Sequence, residues 1–318
     1  REWTENGRRY FHYRMDRPIL NFYSFLSARY AVRKDRWNDV NLEVYYHPGH
    51  EYNLDRFLQA SKDGLAYFSA SYSPYQFRQY RILEFPRYAS FAQSFPNTVP
   101  YSEGIGFISR VKDDADDLDM PYFVTAHELA HQWWGHQLVG ANVQGAAILS
   151  EALAEYSALV LMERKYGREQ SQKFLRYELD NYLRGRSGER KGEQPLLRAE
   201  GQAYIHYYKG SLVLYALRDY IGEDSLNSAL RRFVGDKAYQ MPPYTTSREF
   251  LGYLDRVTPD SLKPTLHDLF ERITFWEHTA QTARAVRQTD SSWKVTLTVH
   301  ARKVYADSLG TESPAPLG

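Results

Sequence analysis

Cysteine is absent from the 318 residues of this chain. That absence excludes disulfides, thiol nucleophiles and thiolate ligands, so any metal must be held by imidazole and carboxylate. Net charge is nearly absent too, at +1; nothing global points to nucleic acid or to an anionic membrane surface, and no nucleic-acid partner is expected. No apolar run approaches the ~18 residues needed to span a bilayer. Internal repeats and low-complexity tracts are missing as well. Two short mixed charge runs, Lys112–Asp117 and Arg184–Lys191, are expected to be solvated loops. What remains, 43% hydrophobic and 25% charged residues, is an ordinary globular composition with enough chain for one large domain or two moderate ones.

The pattern along the chain is β, then α, then β. Residues 1–50 are aromatic and extended, opening on TENGRRYFHYRM with a glycine turn and closing on NLEVYYHPGH. A helical spacing of apolar residues runs from about Asn53 to Tyr72, RILEF reads as a strand, and GIGFISR as another. From Pro121 to about Phe275 the chain is mostly helical, in PYFVTAHELAHQWWG, SEALAEYSALVLMERKYG, YYKGSLVLYALRDYIG and SREFLGYLDRV, with helix stops at Gly167 and Gly222. TARAVRQTDSSWKVTLTVHARKVYAD returns to period-two alternation, a hairpin around Asp290-Ser291. Arg1 lies inside a strand pattern and the end follows a lone one, so both ends are expected to be cuts through a longer protein.

His127, Glu128 and His131 spell His-Glu-x-x-His. On a helix, positions i and i+4 share a face, so both imidazoles can reach one zinc ion, while Glu128 lies one residue round, close enough to act on a water there. A chance match is expected in ~2% of chains with this histidine content, so the flanks must decide. They are helix-compatible, with no Pro or Gly between Tyr122 and Trp134. Two histidines and a glutamate side by side in a polar core, without a metal, would be a costly alternative.

His136 is the tempting third ligand, but on a continuous helix it lies about 180° from His127 and about 140° from His131, pointing away. Glu151 and Glu155 lie one turn apart in LSEALAEYSALV. A helix hairpin would bring Glu151 beside the two histidines, giving two imidazoles, one carboxylate and an open fourth position. Glu155 could then accept the free N–H of His127, or could equally be an exposed helix carboxylate.

HELAHQWWG followed by Ser150-Glu151-Ala152-Leu153-Ala154-Glu155-Tyr156 resembles the gluzincin aminopeptidases of the membrane-alanyl-aminopeptidase family. Nineteen residues separate His131 from Glu151, one more than that family's usual eighteen; an extra loop residue near GANVQGAA would absorb it. Further segments carry the resemblance, from roughly Leu83 to Asp236. Tyr101-Ser102-Glu103-Gly104-Ile105-Gly106 is similar to the family's Met-Glu-Asn motif, and Tyr207-Tyr208-Lys209-Gly210 to its Tyr-x-Lys-Gly. The resemblance implies a single Zn²⁺ on His127, His131 and Glu151, Glu128 as general base, and Tyr207 as hydrogen-bond donor to the oxyanion. It also implies Glu103 as anchor for a peptide's free ammonium, with the Ser102 and Gly104 backbone beside the substrate. His206 is given no role and is expected to be structural.

The implied fold is α+β and mainly helical, a thermolysin-like gluzincin catalytic domain with β segments at both ends. Its expected divisions are residues 1–50 as the end of a preceding β domain, 51–275 as the zinc peptidase domain, and 276–318 as the start of a following β domain. FPRYASFAQSFPNTVPYSEG and PPYTTSREFL are similar to peptidase domains fused behind membrane-spanning permease segments in bacterial ABC-transporter-like proteins. On that resemblance this is a soluble part of a membrane-anchored parent. The expected activity is removal of N-terminal residues from peptides. Rival readings are an endopeptidase of the same zinc class and a zinc-bearing peptide-binding or regulatory domain of a transporter; an intact Glu128 argues against the second.

Overall fold

The alternating segments before and after the first helix join one mixed sheet. In the computed structural model, which describes residues 1–112, 117–190 and 192–317, β3 (Ala31–Trp37) and β4 (Val40–Tyr46) form an antiparallel hairpin. β4 pairs in parallel with β5 (Gln79–Phe85), and β5 in parallel with β6 (Thr98–Ser102), giving the order β3-β4-β5-β6. Residues on both sides of position 50 therefore share one sheet. Parallel neighbours need a crossover, supplied between β4 and β5 by α1 (Leu54–Ser71), whose buried Leu54, Phe57, Leu58, Leu65 and Phe68 form one apolar face. Upstream, β1 (Glu2–Glu5) and β2 (Arg8–Phe11) make a separate small hairpin.

Behind the sheet lies a helical layer. α2 (Met120–Ala130) and α3 (Glu151–Tyr166) pack side by side, with α1 against both. α3 is buried on every side from Ala152 to Met162, so it has no solvent stripe and forms the axis of the domain. Trp133 and Trp134 fill the space between α1 and α3; each indole N–H finds an acceptor, Ser73 O at 2.8 Å and Ser157 Oγ at 3.1 Å. Around this axis stand α4 (Arg168–Ser187), α5 (Gly210–Ile221), α6 (Glu223–Lys237), α7 (Ser247–Asp255) and α8 (Lys263–Glu271). A long hairpin, β7 (Ile273–Arg287) and β8 (Trp293–Ala306), with β9 (Glu312–Ala315) beside β8, closes the described chain.

The α+β, mainly helical class holds, as do the helix stops, where Gly167 and Gly222 take φ of 83° and 87°. Three local expectations need correction. GIGFISR is a turn rather than a strand, because the Asn53 side chain binds the carbonyls of Gly106 and Ser109 and curls the segment; the strand lies earlier, over Thr98–Ser102. Arg184–Ser187, expected in a solvated loop, is the last turn of α4. β7 starts at Ile273, nine residues before the alternation was read. Residues 113–116 and 191 of the two charge runs lie outside the described residues. Among the described residues, no helix is long and apolar enough to cross a membrane.

Candidate metal centre

α2 is started by Asp119, whose side chain accepts the Tyr122 N–H at 3.1 Å, and by Pro121 in the first turn. It ends at His131, and Gly135, with φ of 129°, turns the chain away. His127 and His131 therefore sit one turn apart on a face that looks at the first turn of α3, where Glu151 is the opening residue. The loop between them absorbs the nineteen-residue spacing. His136 has left the helix, and its Nε2 lies 3.2 Å from Ser94 O.

Three ligand-capable atoms converge. His127 Nε2 and His131 Nε2 are 3.0 Å apart. Glu151 Oε2 is 3.4 Å from the first and 3.3 Å from the second. A tetrahedral zinc with bonds of ~2.0–2.1 Å spaces its ligand atoms ~3.3 Å apart. The partners of the far nitrogens orient both rings. His131 Nδ1 lies 2.9 Å from Trp134 O, which can only accept, so the proton is on Nδ1. His127 Nδ1 is in direct contact with Glu155 Oε2. Both Nε2 lone pairs consequently face one point, an arrangement stabilised only by a positive charge between them. Glu151 Oε2 and Glu128 Oε2 are buried without hydrogen-bond partners, which adds anionic acceptors to that point.

The titration behaviour follows from this crowding. Burial lowers the His127 pKa, but Glu155 and Glu151 outweigh it and raise the imidazole well above its ordinary value. His131 is raised in the same way against burial, chiefly by Glu151. Burial raises Glu151, yet His131 and His127 hold its carboxyl well below the usual carboxylate range. The group thus favours positive charge at its centre. Glu128, only 6% exposed, is pushed up by burial, against the pull of the imidazoles. Behind Glu155 stands Glu178, fully buried, accepting from the Ser211 hydroxyl at 3.0 Å and raised to about 10 by burial and the Glu155 charge.

Tyr207 is carried by a single π-helical turn, Tyr204–Lys209, directly before α5. Its ring stacks on His127 at 5.9 Å, and burial, with the charge of Glu151, raises its hydroxyl well above the ordinary value. Gly210 is required by a close approach: a Cβ there would lie 2.6 Å from Ala152 Cβ on α3. His206 packs on Tyr207 at 4.9 Å, and its Nδ1 is buried without a hydrogen-bond partner.

Glu103 begins the turn after β6 and belongs to a second group. Its Oε1 accepts the Arg87 N–H at 3.2 Å, and its Oε2 is 3.9 Å from His50 Nδ1. That same Nδ1 contacts Glu84, which also accepts the His47 N–H at 2.6 Å. Ser102 is buried, its hydroxyl donating to Ala89 O at 2.6 Å and its amide to Phe91 O at 3.0 Å. Bridges Ala92–Tyr101 and Phe95–Thr98 put residues 91–95 along the outer edge of β6. A substrate strand added there would meet an edge already paired, which leaves the Glu103 and Gly104 turn as the open part of the motif. His50 and Glu84 were missed in the sequence. Glu84 left a signal: alternation sets it on the buried face of β5 with Tyr80 and Ile82, a carboxylate at a core position.

Two antiparallel-packed helices thus present two imidazoles and a carboxylate, with a free glutamate beside them, as a candidate metal centre. Residues 57–268 match the Peptidase family M1 domain, and the chain belongs to that family. It is 24% identical over 208 residues to human endoplasmic reticulum aminopeptidase 2, covering 63% of this chain and 22% of that protein. Against rat endoplasmic reticulum aminopeptidase 1 it is 21% identical over 292 residues, covering 86% and 31%. The chain thus spans less than a third of the length of these curated relatives. Among solved structures it is similar to an M1 zinc metallopeptidase from Deinococcus radiodurans, with a TM-score of 0.55 at 20% identity over 76% of this chain and 51% of that one. A mutant of that protein bound to a Tyr-Ser-Ala substrate gives 0.56 at 20% identity, over 76% and 52%.

Proposed function

We propose that this chain is the catalytic part of a zinc aminopeptidase. The single observation that carries the proposal is the convergence of His127 Nε2, His131 Nε2 and Glu151 Oε2 at 3.0–3.4 Å, beside a buried Glu128 with an unpartnered oxygen. A dication held by those three would polarise a peptide carbonyl and bring the pKa of a water from 15.7 to about 7. With the metal bound, Glu128 would serve as the base toward such a water and as the acid toward the leaving amine; its burial suits a group that must do both. Glu155 keeps His127 in the tautomer that offers Nε2. The Tyr207 hydroxyl, kept protonated by its raised pKa, donates to the developing oxyanion. Glu103, through Oε2, receives the substrate's free ammonium, with the Gly104 backbone beside it and Ser102 fixing the start of the turn.

The aminopeptidase names of the relatives and the tripeptide bound in the similar structure support a peptide substrate with a free N-terminus. We further propose residues 51–275 as the body of the peptidase domain, its sheet completed by β3 and β4 from before residue 50, with a further β region from residue 276 and a parent chain bearing permease-like membrane segments. That last proposal is supported by the similarity of FPRYASFAQSFPNTVPYSEG and PPYTTSREFL alone, and reading the full-length open reading frame tests it. The activity is tested with aminoacyl fluorogenic substrates, free and N-acetylated, with and without chelator. Turnover of the free substrates only, lost with chelator and restored by zinc, is the expected result. Equal turnover of the blocked substrates would replace the reading by an endopeptidase, and zinc-dependent peptide binding without turnover by a binding domain.

A further inference from the structure

The sequence motif around Tyr207 explains the tyrosine but not the backbone that carries it. A π turn is rare and costs regular helical hydrogen bonding, so something must hold it. Three contacts do so. At its start, α4 packs directly on Tyr204: the Tyr182 and Tyr204 rings stack at 6.1 Å, and a Cβ on Gly185 would lie 2.2 Å from Tyr204 Cβ. Just past its end, Gly210 lies against Ala152 of α3. Between them, two residues after Tyr207, the Lys209 ammonium is bound to Glu193 Oε1 at 2.5 Å. Glu193 belongs to the segment after α4, is 5% exposed in its side chain, and accepts two further bonds, from the Tyr182 hydroxyl at 3.0 Å and Arg186 Nε at 2.7 Å. The Lys209 side chain is 11% exposed, so removing this carboxylate would leave a buried ammonium without its counter-charge.

We propose that Glu193 is a positioning residue for Tyr207: by fixing Lys209 it locks the π turn that aims the Tyr207 hydroxyl into the metal cleft. This rests on the role proposed for Tyr207 and deepens it. The partners of Glu193 are Tyr182, Arg186 and Lys209 rather than His127, His131 or Glu151, so its effect must travel through the turn.

The test is a double-mutant cycle on the zinc-loaded protein. Glu193→Gln and, because a buried unpaired ammonium could impair folding, Lys209→Met are each made alone and with Tyr207→Phe. Each single variant is expected to lower kcat about 10–100-fold with KM little changed and one zinc retained, since ~1 Å of misplacement can cost that much. Backbone amides of residues 204–209 should exchange hydrogen faster in both. In the Tyr207→Phe background, neither change should lower kcat further. The same fold-loss in both backgrounds, or unchanged kcat and exchange in both single variants, would overturn the proposal. If Tyr207→Phe alone left kcat intact, the role of Tyr207 would fail and the proposal with it, an outcome distinct from a clamp whose effects simply multiply with those of Tyr207→Phe.

Discussion

Two clusters in this protein each combine histidine with glutamate, and they are built on opposite principles. In the group of His127, His131 and Glu151 the donor atoms stand 3.0–3.4 Å apart, and the protons of the rings are drawn off to Glu155 and Trp134 on the far side. In the group of His50, Glu84 and Glu103, the ring nitrogen is already in contact with Glu84, and Glu103 accepts from the Arg87 backbone. The first turns its lone pairs toward one common point; in the second the ring nitrogen already has a carboxylate partner, and of Glu103 only Oε2 is left open. Composition alone does not make a metal site. The direction of the lone pairs does.

The largest effect that sharpens this contrast lies beside the first group. Glu128→Gln should cut kcat by about 10²–10⁴ while elemental analysis still finds one zinc per chain, whereas Glu151→Ala should lose both zinc and turnover. An active Glu151→Ala protein that keeps its zinc would break the ligand set. Tyr207→Phe should follow, with a loss of about 10²–10³ in kcat and little change in KM; a change confined to KM would move Tyr207 from the transition state to ground-state binding. Glu155→Gln should weaken zinc binding by about 10–100-fold in competition with a fluorescent chelator, because His127 loses its anionic partner. Glu103→Ala should raise KM for free aminoacyl substrates by roughly 10-fold, the scale of one charge-assisted hydrogen bond, and an undiminished affinity would assign the ammonium elsewhere. The smallest effect belongs to the second group: His50→Gln should leave the zinc content at one per chain, and a fall from two to one would erase the distinction between the clusters.

Much of the first group was legible in the sequence because its geometry is local. The i, i+4 spacing fixes His127 and His131, and the turn-apart pair Glu151 and Glu155 repeats the device on the next helix. The second group was not legible, because His50, Glu84 and Glu103 come from a turn, a strand and another turn, brought together by the parallel pairing of β5 with β4 on one side and β6 on the other. β6 itself hid behind Pro100 and a mere five residues, while the glycine-spaced GIGFISR imitated a strand. Amphipathic α4 and α6 escaped for a different reason: their charged faces dominate a short window, and only packing against α3 and α5 reveals their apolar side. The π turn under Tyr207 has no local signal, since the residue that clamps it lies sixteen positions upstream of Lys209.

Anomalous diffraction at the zinc edge on crystals of the purified protein would locate the metal against His127, His131 and Glu151. One peak is expected, ~2.0–2.1 Å from Nε2 of His127, Nε2 of His131 and a carboxylate oxygen of Glu151. Zinc-loaded crystals with no density at that point, or with the peak between His50, Glu84 and Glu103 instead, would contradict it.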